Sequence, residues 1–199
     1  MLQYIICGNN ASKIIDLAQQ ALDNGCRWIR LDLSAINTNE IEATVELLQE
    51  KCSHVEAFMT IENDVETAIS MKMAGVHLGL DSKITAVEAR KKLGEEPVMG
   101  ITIKHGSEVP FIPRSAVDYI AIENDSLEEC SKVVEQMKAA GLNEPVVATF
   151  KPDMSLDSLF NTGINGIAVN NHTTLPTFLQ ELLKELNTLV KQRLEELSI

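Results

Sequence analysis

Ala74-Gly75-Val76-His77-Leu78-Gly79 is a short apolar strand that ends at a glycine and follows a segment, 64–73, with the pattern of a helix. A glycine at the end of a strand lets other groups come close to the backbone. A helix that leads into a buried strand is typical of a repeated β/α array. This stretch therefore predicts one unit of such an array.

Strand and helix patterns alternate outward from this unit to both ends of the chain. In the crossover after residue 103, Gly106, Pro110 and Pro113 argue against a regular helix. Another helix ends at Leu93, capped by Ser82 or Thr85. The remaining predicted helices are 12–24, 39–52, 64–73, 126–140, 155–161 and 175–197, and the predicted strands are 2–7, 27–33, 55–61, 75–78, 98–103, 117–122, 145–150 and 166–170.

Eight strands, each followed by a crossover, predict an α/β fold: a single-domain (β/α)8 TIM barrel that spans residues 1–199. The alternative is a doubly wound open sheet, which usually carries a glycine-rich phosphate loop after its first strand. Here Cys7-Gly8-Asn9-Asn10 holds one glycine, so that signal is weak. The C-terminal helix has a wide leucine face, and we expect the part near 194–199 that does not pack on the barrel to form a homodimer contact.

The chain carries 29 acidic and 17 basic residues, a formal net charge of −12. This balance disfavours nucleic acid and anionic membranes as partners, and no apolar stretch approaches the roughly 20 residues of a membrane span. Residues 1–7 lack the basic leader and the long apolar core of a signal peptide. The four cysteines form no CxxC pair, and we expect three of them to be buried thiols. A cytoplasmic location is the resulting expectation.

Several segments resemble the thiamine phosphate synthase family. Residues 61–79 contain an Asn-Asp pair followed by Gly-Val-His-Leu-Gly, and Ala89-Arg90 follows at a fitting distance. The segments 117–120, 145–148 and 163–169 are similar to later strands of that family, in the same order. The resemblance implies an enzyme that joins hydroxymethylpyrimidine diphosphate to thiazole phosphate and releases pyrophosphate, with Mg²⁺ bound. A small phosphorylated heterocycle is the implied partner.

Some positions at which the family binds diphosphate or metal hold different residues here. The places of its Gln-x-Arg-x-Lys motif include Arg30 and Asp32, and those of its Asn-Asp pair hold Glu62 and Asn63 when counted from the Gly-Val-His-Leu-Gly segment. The family's phosphate segment after the sixth strand is replaced by residues 123–126, Glu-Asn-Asp-Ser. Acidic groups therefore stand beside the positions where the resemblance implies phosphate donors.

The candidates for substrate binding follow or end predicted strands, where parallel barrels bind their ligands. For the pair Arg30 and Asp32, which share one face of a strand, the alternative is an internal ion pair. For Lys151 the alternative is a surface lysine before Pro152. The full set is Arg30, Asp32, Glu62, Thr102, Lys104, Lys151, Asn170 and Asn171.

Other side chains suggest a metal site and a proton-transfer group. Asn63, Asp64 and Asp81 carry oxygen atoms that suit Mg²⁺ if they converge, and the alternative is that they cap helices. His105 follows the fifth strand, where the related thiazole tautomerases use a histidine for proton transfer, so the resemblance makes His105 a candidate general acid or base. The alternative for His105 is a solvent loop. His77 is expected to be a hydrogen-bonded core residue.

Two functions remain open at this point. The first is a thiamine phosphate synthase-like transferase of thiamine biosynthesis. The second is a thiazole tautomerase-like enzyme that uses His105, or a barrel that binds a phosphorylated ligand without turnover.

Overall fold

Eight parallel strands form a closed barrel in this computed structural model, which describes residues 1–196. The strands pair in chain order, and the last pairs with the first through Tyr4 and Val169. The predicted TIM barrel is confirmed, and the open sheet is excluded. The strands are β1 (Leu2–Cys7), β2 (Trp28–Asp32), β3 (Phe58–Glu62), β4 (Gly75–Leu78), β5 (Val98–Ile103), β6 (Tyr119–Ile122), β7 (Val146–Thr149) and β8 (Gly166–Asn170).

Within the described residues, seven α-helices connect the strands or follow the last one. They are α1 (Ala11–Asp23), α2 (Thr38–His54), α3 (Val65–Ser70), α4 (Ala86–Leu93), α5 (Leu127–Ala140), α6 (Leu156–Asn161) and α7 (Leu179–Glu196). Six of them begin at a short polar residue whose side chain accepts a hydrogen bond from a backbone N–H of the first turn, which stabilises the helix start. These caps are Asn10, Asn37, Asp64, Thr85, Ser126 and Ser155.

Two connections differ from the regular pattern. As predicted, the crossover after β5 holds no regular helix: Gly106–Phe111 is a 3-10 helix with Pro110 inside it. The C-terminal helix begins at Leu179 instead of 175, because Pro176 starts a separate 3-10 turn, Pro176–Phe178. Residue 197, where we predicted that helix to end, and half of the predicted dimer contact lie outside the described residues.

Polar side chains occupy the inside of the barrel below the carboxyl ends of its strands. Gln3, Arg30 and His77 are buried there, and Tyr119 reaches across from β6 to bond with Gln3 and His77. Gly100 makes room for that tyrosine, since a Cβ at Gly100 would overlap the Tyr119 ring. The larger apolar core lies between strands and helices, and a smaller apolar cluster of Tyr119, Val147 and Ala168 packs against Ile5, Trp28 and Val98.

None of the helices in residues 1–196 has the length and apolar character that crossing a membrane requires.

Candidate functional site

A cavity of about 600 Å³ opens at the carboxyl ends of the strands. In parallel barrels this face carries the ligand site, because the loops that follow all the strands meet there. Seven of the eight residues predicted to bind substrate line the cavity, namely Arg30, Asp32, Glu62, Thr102, Lys104, Lys151 and Asn170. The structure thus places these side chains around one space, while what they bind stays a prediction.

Arg30 forms the central ion pair of the cavity floor with Glu62. The Arg30 Nε atom lies 2.8 Å from Glu62 Oε2, and the two side chains are 9% and 15% exposed. Burial raises the pKa of the Glu62 carboxyl above its ordinary value, Arg30 opposes this, and Asp32 and Asp81 raise it further. The suggested internal pair of Arg30 with Asp32 is therefore replaced by a pair between neighbouring strands. Asp32 Oδ1 accepts from the backbone N–H of Ser34 instead, at 3.0 Å.

His77 lies fully buried beneath this floor, as expected for a hydrogen-bonded core histidine. Its Nδ1 is 2.7 Å from the Tyr119 hydroxyl, and its Nε2 is 2.7 Å from Thr102 Oγ1. Burial, helped by the charge of Arg30, lowers the pKa of His77 well below its ordinary value. The imidazole is therefore neutral at physiological pH and connects the barrel interior to the cavity-lining Thr102.

The lysines at the rim differ in their surroundings. Lys151 forms an ion pair with Asp125 across the mouth between β6 and β7, and that pairing raises the pKa of the Lys151 ammonium. The Lys104 ammonium has no ion pair among the described residues, although the backbone N–H of Lys104 donates to Glu108 at 2.8 Å. Lys104 is thus the cation of the rim with the fewest competing contacts.

Cys7 and His172 also line the cavity, on the side where β8 meets β1. The Cys7 Sγ atom is 3.0 Å from His172 Nε2 and 3.4 Å from Asn171 Oδ1. Burial raises the pKa of the Cys7 thiol, and Asp32 and Glu62 raise it further. Asn171 does not line the cavity; its amide bonds to both the N–H and the C=O of Cys7.

Of the residues predicted to bind Mg²⁺, Asn63 and Asp81 contact each other, and Asp64 caps a helix. Both carboxylate oxygens of Asp64 accept hydrogen bonds from Thr67 at the start of α3, as in the alternative role of helix cap. Asn63 Oδ1 accepts from the Gly79 N–H, and Asn63 Nδ2 donates to Asp81 Oδ1 at 2.7 Å. Among residues 1–196, no three His, Cys, Asp or Glu side chains form a group that could hold a metal. Magnesium binding by Asn63, Asp64 and Asp81 stays a prediction, since Mg²⁺ usually takes only one or two protein carboxylates.

His105 lies outside the cavity. Its side chain is 58% exposed, and its Nδ1 is 3.4 Å from Glu129 Oε2 on α5. The loop containing it turns away because Glu108 accepts from the backbone N–H groups of Lys104 and His105. The structure therefore gives His105 an exposed position on the outer side of the β5 crossover.

Sequence reasoning missed several residues of the cavity wall as site residues. Cys7 could have been found by alternation along β1, since Gln3, Ile5 and Cys7 share a face, and His172 follows β8 by two residues. Cys26, Cys52 and Cys130 are buried thiols, as expected. Glu123, Asn124 and Asp125, which the sequence analysis placed beside the expected phosphate positions, also line the cavity, as does Thr149.

Comparisons with known proteins agree with this geometry. The family model described as thiamine monophosphate synthase matches residues 3–172. The thiamine-phosphate synthase of Bacteroides fragilis is 31% identical over 183 residues, covering 85% of this chain and 89% of that protein. The thiamine-phosphate synthase of Flavobacterium psychrophilum is 28% identical over 200 residues, covering 94% of this chain and 97% of that protein.

Solved structures share the fold. The thiamine phosphate pyrophosphorylase from Pyrococcus furiosus superposes with a TM-score of 0.79 at 20% identity, covering 94% of this chain and 96% of that one. At that identity the likeness shows the architecture alone. The match to residues 3–172 and the relatives at about 31% identity go further: this chain belongs to the thiamine monophosphate synthase family.

Proposed function

We propose that the protein acts in thiamine biosynthesis and binds a small phosphorylated heterocycle in the cavity at the mouth of the barrel. One observation carries the proposal: every residue that lines this cavity, from Ile5 to His172, falls within the part of the chain that matches the family. The cavity also holds both cations for a phosphate and hydrogen-bonding groups for a ring.

The side chains divide into two sets by chemistry. Lys104 and Lys151 stand on the rim beside β5 and β7 and supply positive charge for a phosphate. Asp32 and Glu62 lie on the opposite side, at the ends of β2 and β3, and accept hydrogen bonds from an amino group such as that of an aminopyrimidine. The arrangement suits a heterocycle that is polar at one end and anionic at the other.

The activity that we propose is the synthase reaction. The thiazole nitrogen attacks the exocyclic carbon of the pyrimidine, a C–N bond forms, and the C–O bond to the diphosphate breaks, so that pyrophosphate leaves with the electron pair. Carboxylates oppose a free diphosphate here, because they outnumber the cations of the cavity wall. The carboxylates are Asp32, Glu62, Glu123 and Asp125, and the cations are Arg30, Lys104 and Lys151.

This balance makes a prediction about the form of the substrate. A diphosphate complexed with Mg²⁺ carries less negative charge than free diphosphate and meets less repulsion at the four carboxylates. We therefore expect turnover to rise with the magnesium concentration in solution. The metal enters with the substrate in this proposal, and no resident site in the protein is required.

Pyrophosphate release tests the proposal. Purified protein is mixed with thiazole phosphate, pyrimidine diphosphate and magnesium, and thermal shifts with each substrate are recorded alongside. Lys151→Met should lower kcat/KM by about tenfold, whereas Lys132→Met, which removes an exposed, ion-paired lysine of α5, should leave it unchanged. Turnover supports the synthase; binding without turnover supports a non-catalytic barrel. The absence of both turnover and a thermal shift would remove the proposal.

The tautomerase alternative has a separate test. Because His105 points away from the cavity and towards Glu129, we expect His105→Ala to change neither ligand affinity nor turnover by more than about twofold. A loss of thiazole isomerisation in that variant, with an unchanged melting temperature, would restore His105 as a proton-transfer group.

A further inference from the structure

A chain of hydrogen bonds runs through the barrel interior, and the proposed reaction does not use four of its members, Gln3, Tyr119, His77 and Thr102. Its six members come one from each of β1 to β6, and its two ends, Glu62 and Thr102, both line the cavity. In order, the chain is Glu62, Arg30, Gln3, Tyr119, His77 and Thr102, with separations of 2.8, 3.3, 3.2, 2.7 and 2.7 Å. The direction in which each bond donates can be worked out from one end.

Arg30 sets the direction, because a guanidinium group has five donors and no acceptor. Its Nη1 therefore donates to Gln3, and the Gln3 atom that it meets is the amide oxygen, Oε1. This orientation turns the amide nitrogen of Gln3 towards Tyr119, so that Nε2 donates to the phenol oxygen. The Tyr119 oxygen is thus an acceptor on the Gln3 side.

The phenol proton of Tyr119 is then free to donate. Burial raises the pKa of Tyr119 to about 12, so the proton stays on the oxygen. The Thr60 hydroxyl lowers the pKa of Tyr119, as a donor towards the phenol oxygen does, and it makes no hydrogen bond of acceptable geometry. His77 Nδ1, at 2.7 Å, is therefore the acceptor of the phenol proton. A neutral imidazole that accepts at Nδ1 carries its proton on Nε2 and donates there. The recipient is Thr102 Oγ1.

We propose that this one-way chain fixes the Thr102 hydroxyl as a hydrogen-bond donor into the cavity, and hence that Thr102 binds an unprotonated acceptor atom of the ligand, a ring nitrogen or a phosphate oxygen. Tyr119 and His77 are positioning residues that act through Thr102. The identity of the ligand rests on the proposed function. The direction of the hydrogen bonds does not rest on it, because that direction follows from Arg30, a protonated Tyr119 and a neutral His77.

The direction is tested first, in protein without ligand. The ring nitrogens of the four histidines are observed by NMR after ¹⁵N-histidine labelling, and the spectrum of His77→Gln assigns the His77 signals. A proton on Nε2, unchanged between about pH 6 and about pH 8, supports the chain. A proton on Nδ1, or a charged ring, overturns it whatever the protein's function is.

The donor role of Thr102 is tested by calorimetry with thiazole phosphate. Thr102→Val removes the hydroxyl and keeps the shape, and we expect about tenfold weaker binding, with Thr102→Ser restoring it. Tyr119→Phe should weaken binding to a similar extent, and the double variant should lose little more than either single change. The matched control is Tyr4→Phe. It removes another buried phenol, which donates to the Thr174 carbonyl and is not part of this chain of hydrogen bonds.

The same titrations with the unphosphorylated thiazole alcohol identify the acceptor atom. Equal losses for both ligands in Thr102→Val identify the ring nitrogen, and a loss confined to the phosphate form identifies a phosphate oxygen. An affinity that Thr102→Val leaves unchanged, or a Tyr119→Phe variant that behaves like Tyr4→Phe, would overturn the proposal. If neither ligand binds the wild type, the NMR result still decides the direction, and the failure belongs to the proposed function.

Discussion

Replacing Arg30 by Met should destabilise the protein in a way that depends on pH. The substitution keeps the length of the side chain but leaves the Glu62 carboxylate, 15% exposed, without its partner at 2.8 Å. Removing one member of a buried ion pair costs about 3–5 kcal/mol. We expect about 3 kcal/mol near pH 8, the lower end of that range, because Glu62 lines a water-accessible cavity.

The sign of the pH dependence follows from Glu62. Without Arg30, only burial, Asp32 and Asp81 act on this carboxyl, and all three raise its pKa. A group whose pKa is higher in the folded state than in the unfolded state binds more protons when folded, so acidification favours folding. The deficit of Arg30→Met should therefore shrink as the pH falls from about 8 to about 5, because the Glu62 carboxyl takes up its proton at a higher pH in the folded state than in the unfolded state.

Urea unfolding at both pH values measures the loss of stability. Unfolding is monitored by circular dichroism and by the fluorescence of Trp28, the single tryptophan, which packs edge-on against Tyr119. The double variant Arg30→Met with Glu62→Gln removes both charges and should recover most of the loss at about pH 8. Equal deficits at the two pH values, or a double variant no more stable than the single one, would refute this explanation.

Three further predictions concern neighbouring residues. Gly79→Ala should lower the free energy of unfolding by about 1–3 kcal/mol, because its Cβ would lie 2.5 Å from Glu62 Oε1. The control is Gly8→Ala, whose Cβ meets Ile14 at an ordinary 3.7 Å. Equal unfolding midpoints for the two variants would contradict this prediction. Because burial lowers the pKa of His77, the folded state resists protonation of this ring. As the pH falls from about 6.5 to about 5.5, the wild type should therefore lose about 1 kcal/mol of unfolding free energy relative to His77→Gln. Parallel curves of stability against pH for the two proteins would count against this prediction. Asp64→Ala should lower the free energy of unfolding by about 1 kcal/mol, because a helix cap is lost. The magnesium dependence of turnover should stay unchanged in this variant. Loss of that dependence would show that Asp64 binds metal.

The sequence was sufficient for the architecture because each strand carries its own signal. The end of α4 at Leu93, just before Gly94, was predictable from residue type, and of the two caps that the sequence allowed, Ser82 and Thr85, the structure uses Thr85. Boundaries were less certain where the backbone makes a tight turn. The third strand was expected from 55 but starts at Phe58, since Glu56 adopts a positive φ of 54° in the turn before it.

The position of the site was predictable, and its internal pairing was not. Parallel strands end at one edge, so Arg30 and Asp32 could be placed at the mouth without coordinates. The partner of Arg30 depends on register: Arg30 lies beside Thr60 of β3, which brings Glu62 within reach. Cys7 meets His172 only because β8 closes on β1, a contact between residues 165 positions apart.

Ligand binding at the mouth is measured most directly by the reactivity of Cys7. Its thiol lines the cavity, while Cys26, Cys52 and Cys130 are buried. Iodoacetamide labelling at about pH 8.5, with each peptide quantified by mass spectrometry, should modify Cys7 alone. Thiazole phosphate at a saturating concentration should slow that reaction by about tenfold or more. An unchanged labelling rate at a concentration that saturates the thermal shift would show that the ligand binds elsewhere.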